Sequence, residues 1–293
     1  MTNSVHAFPG DEAQARRLSE SLGVPLLPVD HHVFPDGESL ITVKPAQGAV
    51  ALYRSLDQPD CKLMPLLLAA DALRRAGAQR VVLVAPYMAY LRQDAVFKPG
   101  QALSRDVLGR LLGERFDAVV TVEPHLHRTR DLSPIFCGIP VVALSAAAPL
   151  AEALLPMRQN VLVIGPDAEA EAWTAALART LGARHLSISK VRQGDRRVEL
   201  TWPEADQVAA HAVILADDIC STGATLEAAL RHLSRMDPAS IDVVVAHALF
   251  DGATEARLRK AGARRLISTD SCPHPTNAAP LADMMAQALK ELA

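Results

Sequence analysis

Val213-Ile-Leu-Ala-Asp-Asp-Ile-Cys-Ser-Thr-Gly-Ala-Thr225 decides how this chain is read. Four apolar residues run into two adjacent carboxylates, Asp217 and Asp218. A turn of small, hydroxyl-bearing residues follows, and then a helical run over 226–236. The succession is a strand, a tight loop and a helix N-terminus. At such a loop the backbone N–H groups and the helix dipole hold a phosphate. Carboxylates accept bonds from ribose hydroxyls, so the whole suits a sugar phosphate. An ordinary βα turn, with solvated aspartates and Ser221 or Thr222 as N-cap, is spelled with the same residue types.

Outward from this stretch, apolar strand-like runs alternate with helical ones, the pattern of a parallel α/β sheet. In the first half, helices are expected over 11–22, 63–76 and 104–115, the last capped by Ser104. Strands are expected over 26–29, 39–43, 49–53, 80–85, 118–122 and 139–144. The strand at 80–85 opens into a polar loop, 86–102, where ligands of open α/β sheets sit. The pattern then restarts, with strands over 160–164, 185–189, 213–216, 241–246 and 264–268, and helices over 169–181, 226–236, 254–261 and 283–292. A basic loop, Lys190-Val-Arg-Gln-Gly-Asp-Arg-Arg197, follows the second of these strands. Two α/β halves emerge, joined near 145–149.

A chain of 293 residues accommodates one large or two ordinary domains, and 49% hydrophobic content supplies a sizeable core. The net charge of −3 gives no reason to expect nucleic acid or an anionic membrane. An anionic substrate must therefore be held by local basic residues and metal ions. The four cysteines are scattered without a CxxC, which argues against a disulfide framework or zinc site and for a reducing cytosol. No leader pattern opens the chain and no apolar run nears the ~18 residues of a membrane span. A cytoplasmic protein is expected.

The opening stretch resembles the phosphoribosyl-diphosphate-binding loop of type I phosphoribosyltransferases and ribose-phosphate diphosphokinases. Other stretches resemble only the diphosphokinases, the PRPP synthetase family. They are Phe34-Pro-Asp-Gly-Glu38, Asp71-Ala-Leu-Arg-Arg-Ala-Gly77, Pro86-Tyr-Met-Ala-Tyr-Leu-Arg-Gln-Asp94, His125 after its strand, Gly165-Pro-Asp167 and Ser268-Thr-Asp-Ser-Cys-Pro-His274. They span nearly the whole chain in the family's order. The short length and Ser221-Thr222 resemble the archaeal-type branch.

The resemblance implies two phosphoribosyltransferase-like α/β domains, each with a mainly parallel central sheet flanked by helices. These would be 1–147 and 148–280, with a C-terminal helix in 281–293 packing back on the first. It implies diphosphoryl transfer from Mg-ATP to the anomeric hydroxyl of ribose 5-phosphate, giving 5-phosphoribosyl 1-diphosphate and AMP. Lys190 and Arg192 match the cations of a flexible catalytic loop. Arg92, Gln93 and Asp94 match the ATP loop, and Phe34, Asp36 and Glu38 match a turn reaching adenine across a subunit interface, so a homo-oligomer is implied. His125 and Asp167, one in each half, match Mg²⁺ ligands, with His127 a near neighbour. Asp217 and Asp218 would take the ribose hydroxyls, and Ser221, Thr222, Gly223, Ala224 and Thr225 the 5-phosphate.

The chain departs from the pattern at Ala95-Val96, Glu123-Pro124, Ala168-Glu169 and Ala224. The departures at Glu123-Pro124, Ala168-Glu169 and Ala224 motivate an alternative, a catalytically weak or regulatory paralogue that binds nucleotide or PRPP. Keeping Lys190, Arg192, His125 and Asp167 argues for the enzyme. A type I phosphoribosyltransferase would explain the opening loop but neither Arg92-Gln93-Asp94 nor the duplicated layout.

Overall fold

Strands buried on both faces read as unbroken apolar runs. Val50-Ala-Leu-Tyr53, Val81-Val-Leu-Val84 and Val213-Ile-Leu-Ala216 are each buried along their whole length. A computed structural model describes residues 1–126, 131–154, 160–193 and 197–292, with 189–193 and 197–201 described by backbone alone. The chain divides into two compact units, Met1–Ser145 with Leu281–Ala293, and Ala146–Pro280.

The first unit contains β1 (Thr2–Ala7), α1 (Glu12–Leu22), β2 (Leu26–Val33), β3 (Ser39–Val43), β4 (Gly48–Tyr53), α2 (Pro59–Arg75), β5 (Ala78–Val84), α3 (Ser104–Gly113), β6 (Ala118–Val122) and β7 (Val141–Leu144). Among the described residues its strands lie in the order β3-β2-β1-β4-β5-β6-β7, and only the β2–β3 pairing is antiparallel. The chain builds outward from β1 to β3 and then crosses to the other side of β1 to lay down β4. Such a reversal leaves a crevice at the carboxyl ends of the two strands flanking it, here β1 and β4.

The second unit contains α4 (Ala147–Ala153), β8 (Val161–Gly165), α5 (Glu171–Leu181), β9 (Arg184–Ser187), β10 (Ser189–Gln193), β11 (Arg197–Thr201), α6 (Ala205–Val208), β12 (Ala212–Cys220), α7 (Ala224–Leu233), β13 (Ser240–Ala248), α8 (Gly252–Lys260), β14 (Arg265–Thr269) and β15 (Asn277–Ala279). Its described sheet runs β15-β14-β13-β12-β8-β9 and is parallel throughout. The reversal now falls between β8 and β12. Finally α9 (Ala282–Glu291) belongs to the first unit, where it packs on α1 and Ser21 Oγ donates to Asp283 Oδ1 at 2.6 Å.

Several elements differ from the sequence expectation. β1 reads as polar, Thr-Asn-Ser-Val-His-Ala, yet it is central and buries both Ser4 and His6. Their side chains bond each other at 3.1 Å, and burial pushes His6 down to about 4, so the ring is neutral. Ser104 is the first residue of α3 with Leu103 at its cap, and it makes no capping bond. α2 starts earlier than expected, at a proline whose fixed φ suits a first helical turn. The expected basic loop is an antiparallel ribbon, β10 with β11, in which Lys190 pairs with Leu200 and Arg192 with Val198. Among the described residues no helix is long and apolar enough to cross a membrane.

The second sheet carries a fully buried carboxylate, Asp242 on β13. Burial alone would raise its pKa, but hydrogen bonds from Arg264 (2.7 and 2.9 Å) and Arg265 (2.9 Å), with their charge, hold it below the ordinary carboxylate range. Removing one side of such a pair strands the other. Because both guanidinium groups remain half exposed, Asp242→Asn is expected to lose about 2 kcal/mol in urea denaturation at pH 7. The depressed pKa fixes the sign: the wild-type advantage is complete at neutral pH and disappears as pH falls through that lowered value. An undiminished advantage at pH 2 would overturn this account.

Candidate functional site

β8 stops pairing with β12 at Leu215, while β12 continues along β13 through Asp217 and Ile219 to Cys220. Past Leu215 the β8 side of β12 is therefore open, and Asp217 and Asp218 occupy this stretch, half-buried. The strand extends through both carboxylates rather than ending before them. Asp217 Oδ1 accepts the Asp218 amide at 2.9 Å.

Asp167 follows the neighbouring strand β8. Its Oδ1 accepts the amides of Glu169 (3.0 Å) and Ala170 (3.2 Å), which fixes the entry to α5. The fold thus brings Asp167 to the same crevice. Burial, then the negative charges of Asp218 and Asp167, push the Asp217 carboxyl up to about 8. A divalent cation relieves such crowding, and hard carboxylate oxygens match Mg²⁺. Among the described residues no three His, Cys, Asp or Glu side chains form a ready-made metal cage.

The turn after β12 is exposed at Ser221, Thr222, Ala224 and Thr225 but buried at Gly223. Gly223 has φ 70°, in the left-handed region, and caps α7 in place of a serine or threonine side chain. A Cβ there would stand 2.7 Å from Thr254 Cγ2. Both backbone conformation and space therefore call for glycine. Ala224, where the resembling pattern has a second glycine, is the first residue of α7 and is absent from the positive-φ positions. Its methyl group is compatible with the backbone. The first amides of a helix lack intrahelical acceptors, so the exposed turn offers N–H donors to an anion.

In the first unit, Phe34-Pro-Asp-Gly-Glu38 is the tight turn of the β2–β3 hairpin. It is closed by bonds from the Phe34 amide to Glu38 O and from the Gly37 amide to Phe34 O, both 2.8 Å. Phe34 is 40% exposed and meets His32 edge-on at 4.8 Å. Asp36 and Glu38 line a groove of about 790 Å³ with Arg54, Asp60, Met64 and Leu68. In the loop after β5, Arg92 is exposed while Gln93 and Asp94 are half-buried. Gln93 Nε2 donates to Ala95 O at 3.0 Å, and Gln101 Oε1 accepts the backbone amides of Phe97 and Lys98, which folds the loop on itself.

His125 is half-buried beyond β6. The preceding Glu123 has φ 39°; its amide donates to Leu144 O at 2.7 Å and its carboxylate accepts from Ser145 Oγ at 3.1 Å. His127 lies outside the described residues. Lys190 and Arg192 are placed by backbone only, two positions apart on β10.

Two groups escaped the sequence reading. At the β1/β4 crevice Arg54 lies over the Phe8 ring at 4.2 Å and bonds Asp11 Oδ2 at 3.3 Å. Burial raises Asp11 to about 6, outweighing the pull of Lys62 and Arg54. On α8, Thr254 and Arg257 back the Gly223 turn.

Residues 5–114 match the N-terminal domain of ribose phosphate pyrophosphokinase, and residues 144–283 match the phosphoribosyl transferase domain. A ribose-phosphate pyrophosphokinase of Methanopyrus kandleri is 33% identical over 281 residues, covering 94% of this chain and 95% of the relative. The chain belongs to the ribose-phosphate pyrophosphokinase family. A second such relative, from Halobacterium salinarum, is 31% identical over 95% of this chain and 97% of its own. The crystal structure of phosphoribosylpyrophosphate synthetase from Mycobacterium smegmatis covers 100% of this chain and 99% of its own at a TM-score of 0.85; at 22% identity it bears on the fold alone. The two-unit, mainly parallel α/β architecture is thus shared by members of the pyrophosphokinase family.

Gly223 and Ala224 should respond in opposite ways to exchange. Gly223→Ala is expected to lose about 1–2 kcal/mol from the left-handed backbone alone, with the contact on Thr254 added. Ala224→Gly, at a first helical position, should change stability by less than ~1 kcal/mol. Chemical denaturation of both variants checks this, and equal losses would contradict the turn as described.

Proposed function

We infer that the protein transfers the diphosphoryl group of ATP to the anomeric hydroxyl of ribose 5-phosphate, the reaction of its family. The observation that carries this reading is the β12–turn–α7 unit: two carboxylates at an open strand edge, followed by an exposed left-handed turn onto a helix N-terminus. Asp217 and Asp218 accept the ribose 2- and 3-hydroxyls. The turn from Ser221 to Thr225 surrounds the 5-phosphate with amides and the hydroxyls of Thr222 and Thr225. This fixes the sugar with its anomeric oxygen presented for reaction, and positioning accounts for much of the barrier lowering in phosphoryl chemistry.

In the step itself, the anomeric oxygen forms a bond to the β-phosphorus, and the bond from that phosphorus to the oxygen bridging the α-phosphate breaks. AMP departs with the bridging oxygen, and the hydroxyl proton is released to solvent. Arg92, Gln93 and Asp94 hold ATP from the first unit, with Phe34, Asp36 and Glu38 reaching the adenine of a neighbouring copy in a homo-oligomer. His125 and Asp167 are the proposed ligands of Mg²⁺, which when bound neutralises phosphate charge. Lys190 and Arg192 add cations where charge develops in the transition state.

Incubation of purified protein with Mg-ATP and ribose 5-phosphate should yield AMP and 5-phosphoribosyl 1-diphosphate in equal amounts. No AMP across metals and phosphate concentrations would favour a binding paralogue. Consumption of 5-phosphoribosyl 1-diphosphate only with an added nucleobase would favour a transferase. Lys190→Ala should lower kcat by ~10²–10³ with an unchanged melting temperature; near-normal turnover would remove Lys190 from the mechanism. Sedimentation of active protein should show a dimer or larger, and an active monomer would refute the shared adenine site.

A further inference from the structure

We propose that Arg257 is a positioning residue for the ribose-phosphate turn, acting through the peptide that joins Thr222 to Gly223. The inference rests on the assignment of that turn to the 5-phosphate. One terminal nitrogen of Arg257 donates to Thr222 O at 2.8 Å and lies 3.1 Å from Thr254 Oγ1. Its Nε donates to Glu227 Oε2 at 3.3 Å, and Arg231 holds the other oxygen of that carboxylate at 2.6 Å. The guanidinium is therefore held at two of its nitrogens, one by the turn it serves and one by the first turns of α7.

The geometry gives this contact a directional effect. In a planar trans peptide the carbonyl and the N–H point to opposite sides. Holding Thr222 O toward α8 aims the Gly223 N–H away from α8, to the exposed side of the turn. Thr254 completes the support, because its Cγ2 occupies the place a Gly223 Cβ would need. The Asp251 side chain fixes Thr254 in turn by accepting its amide at 2.8 Å. The result is an anion-binding turn whose donor direction is set from behind by a neighbouring helix.

Steady-state kinetics of Arg257→Ala and Arg257→Lys test this. Loss of a charge-assisted bond that orients the phosphate donors predicts a roughly tenfold rise in KM for ribose 5-phosphate in Arg257→Ala. KM for ATP should stay within about twofold and the melting temperature should hold. Lysine keeps the charge without the paired Nε and terminal N–H donors, so it should recover only part of the loss. Full recovery by lysine would show that charge alone acts, and overturn positioning. A parallel rise in both KM values with a lowered melting temperature would also overturn it, as would an unchanged KM for ribose 5-phosphate. Thr222→Val separates the levels. If it raises KM for ribose 5-phosphate while Arg257→Ala does not, only the inference fails. If neither variant moves it, the phosphate assignment of the turn fails too. Should the alanine variant not fold, the lysine variant alone decides by the same split.

Discussion

The left-handed turn at Gly223 is the constraint on which the second unit's site depends. β12 must remain a strand through Cys220 to carry Asp217 and Asp218 past the end of β8, and α7 must start at Ala224 to aim its N-terminus at the same place. Only a reversal within three residues joins the two. The close approach of α8, 2.7 Å from a notional Cβ, makes glycine the residue that fits. Strand register, helix direction and helix packing therefore converge on one backbone conformation. The crevice is a consequence of sheet order, because β8 and β12 flank the reversal in the second unit's sheet.

Carboxylates in this sheet are treated in two ways. Asp242 is fully buried and answered by two arginines, so it stays ionised. Asp217, on the adjacent strand and toward its carboxyl end, faces Asp218 and Asp167, and its proton is held up to about 8. The first arrangement stabilises the fold. In the second, burial and the neighbouring carboxylates favour the protonated form, so no cation is needed to hold the fold together there. With a net charge of −3 the protein as a whole offers no attraction to phosphates, so the proposed phosphate binding rests on local features such as the α7 amides.

What was legible in the sequence were elements whose chemistry is local. Apolar runs ending in polar loops marked the strands, and Gly23, left-handed in the structure, follows the helix expected over 11–22. The carboxylate pair, the turn and the helix start were readable because they are contiguous. β1 was not, since its polar residues satisfy one another only inside the sheet, as Ser4 and His6 do. The β10–β11 ribbon was hidden because basic residues read as a solvated loop, although Val191, Val198 and Leu200 alternate with polar neighbours as a strand does. Arg257 carried no local signal, because its partner Thr222 O is 35 residues away in the chain.

The departures from the family pattern sort by the same logic. At Ala224 the backbone is helical, so replacing a flexible residue by alanine stiffens the start of α7 and leaves the turn's shape to Gly223. At Ala168-Glu169 the contribution to the crevice is a backbone amide, accepted by Asp167, which any non-proline residue supplies. Glu123 differs from both, because it adopts φ 39° and its side chain is held by Ser145. A non-glycine residue in that conformation persists only where its surroundings over-determine it. Here those surroundings are the bond to Leu144 O and the rigid ring of Pro124, immediately before His125. Position 123 is thus a strained position next to a proposed metal ligand, whereas Ala168, Glu169 and Ala224 are absent from the positive-φ positions.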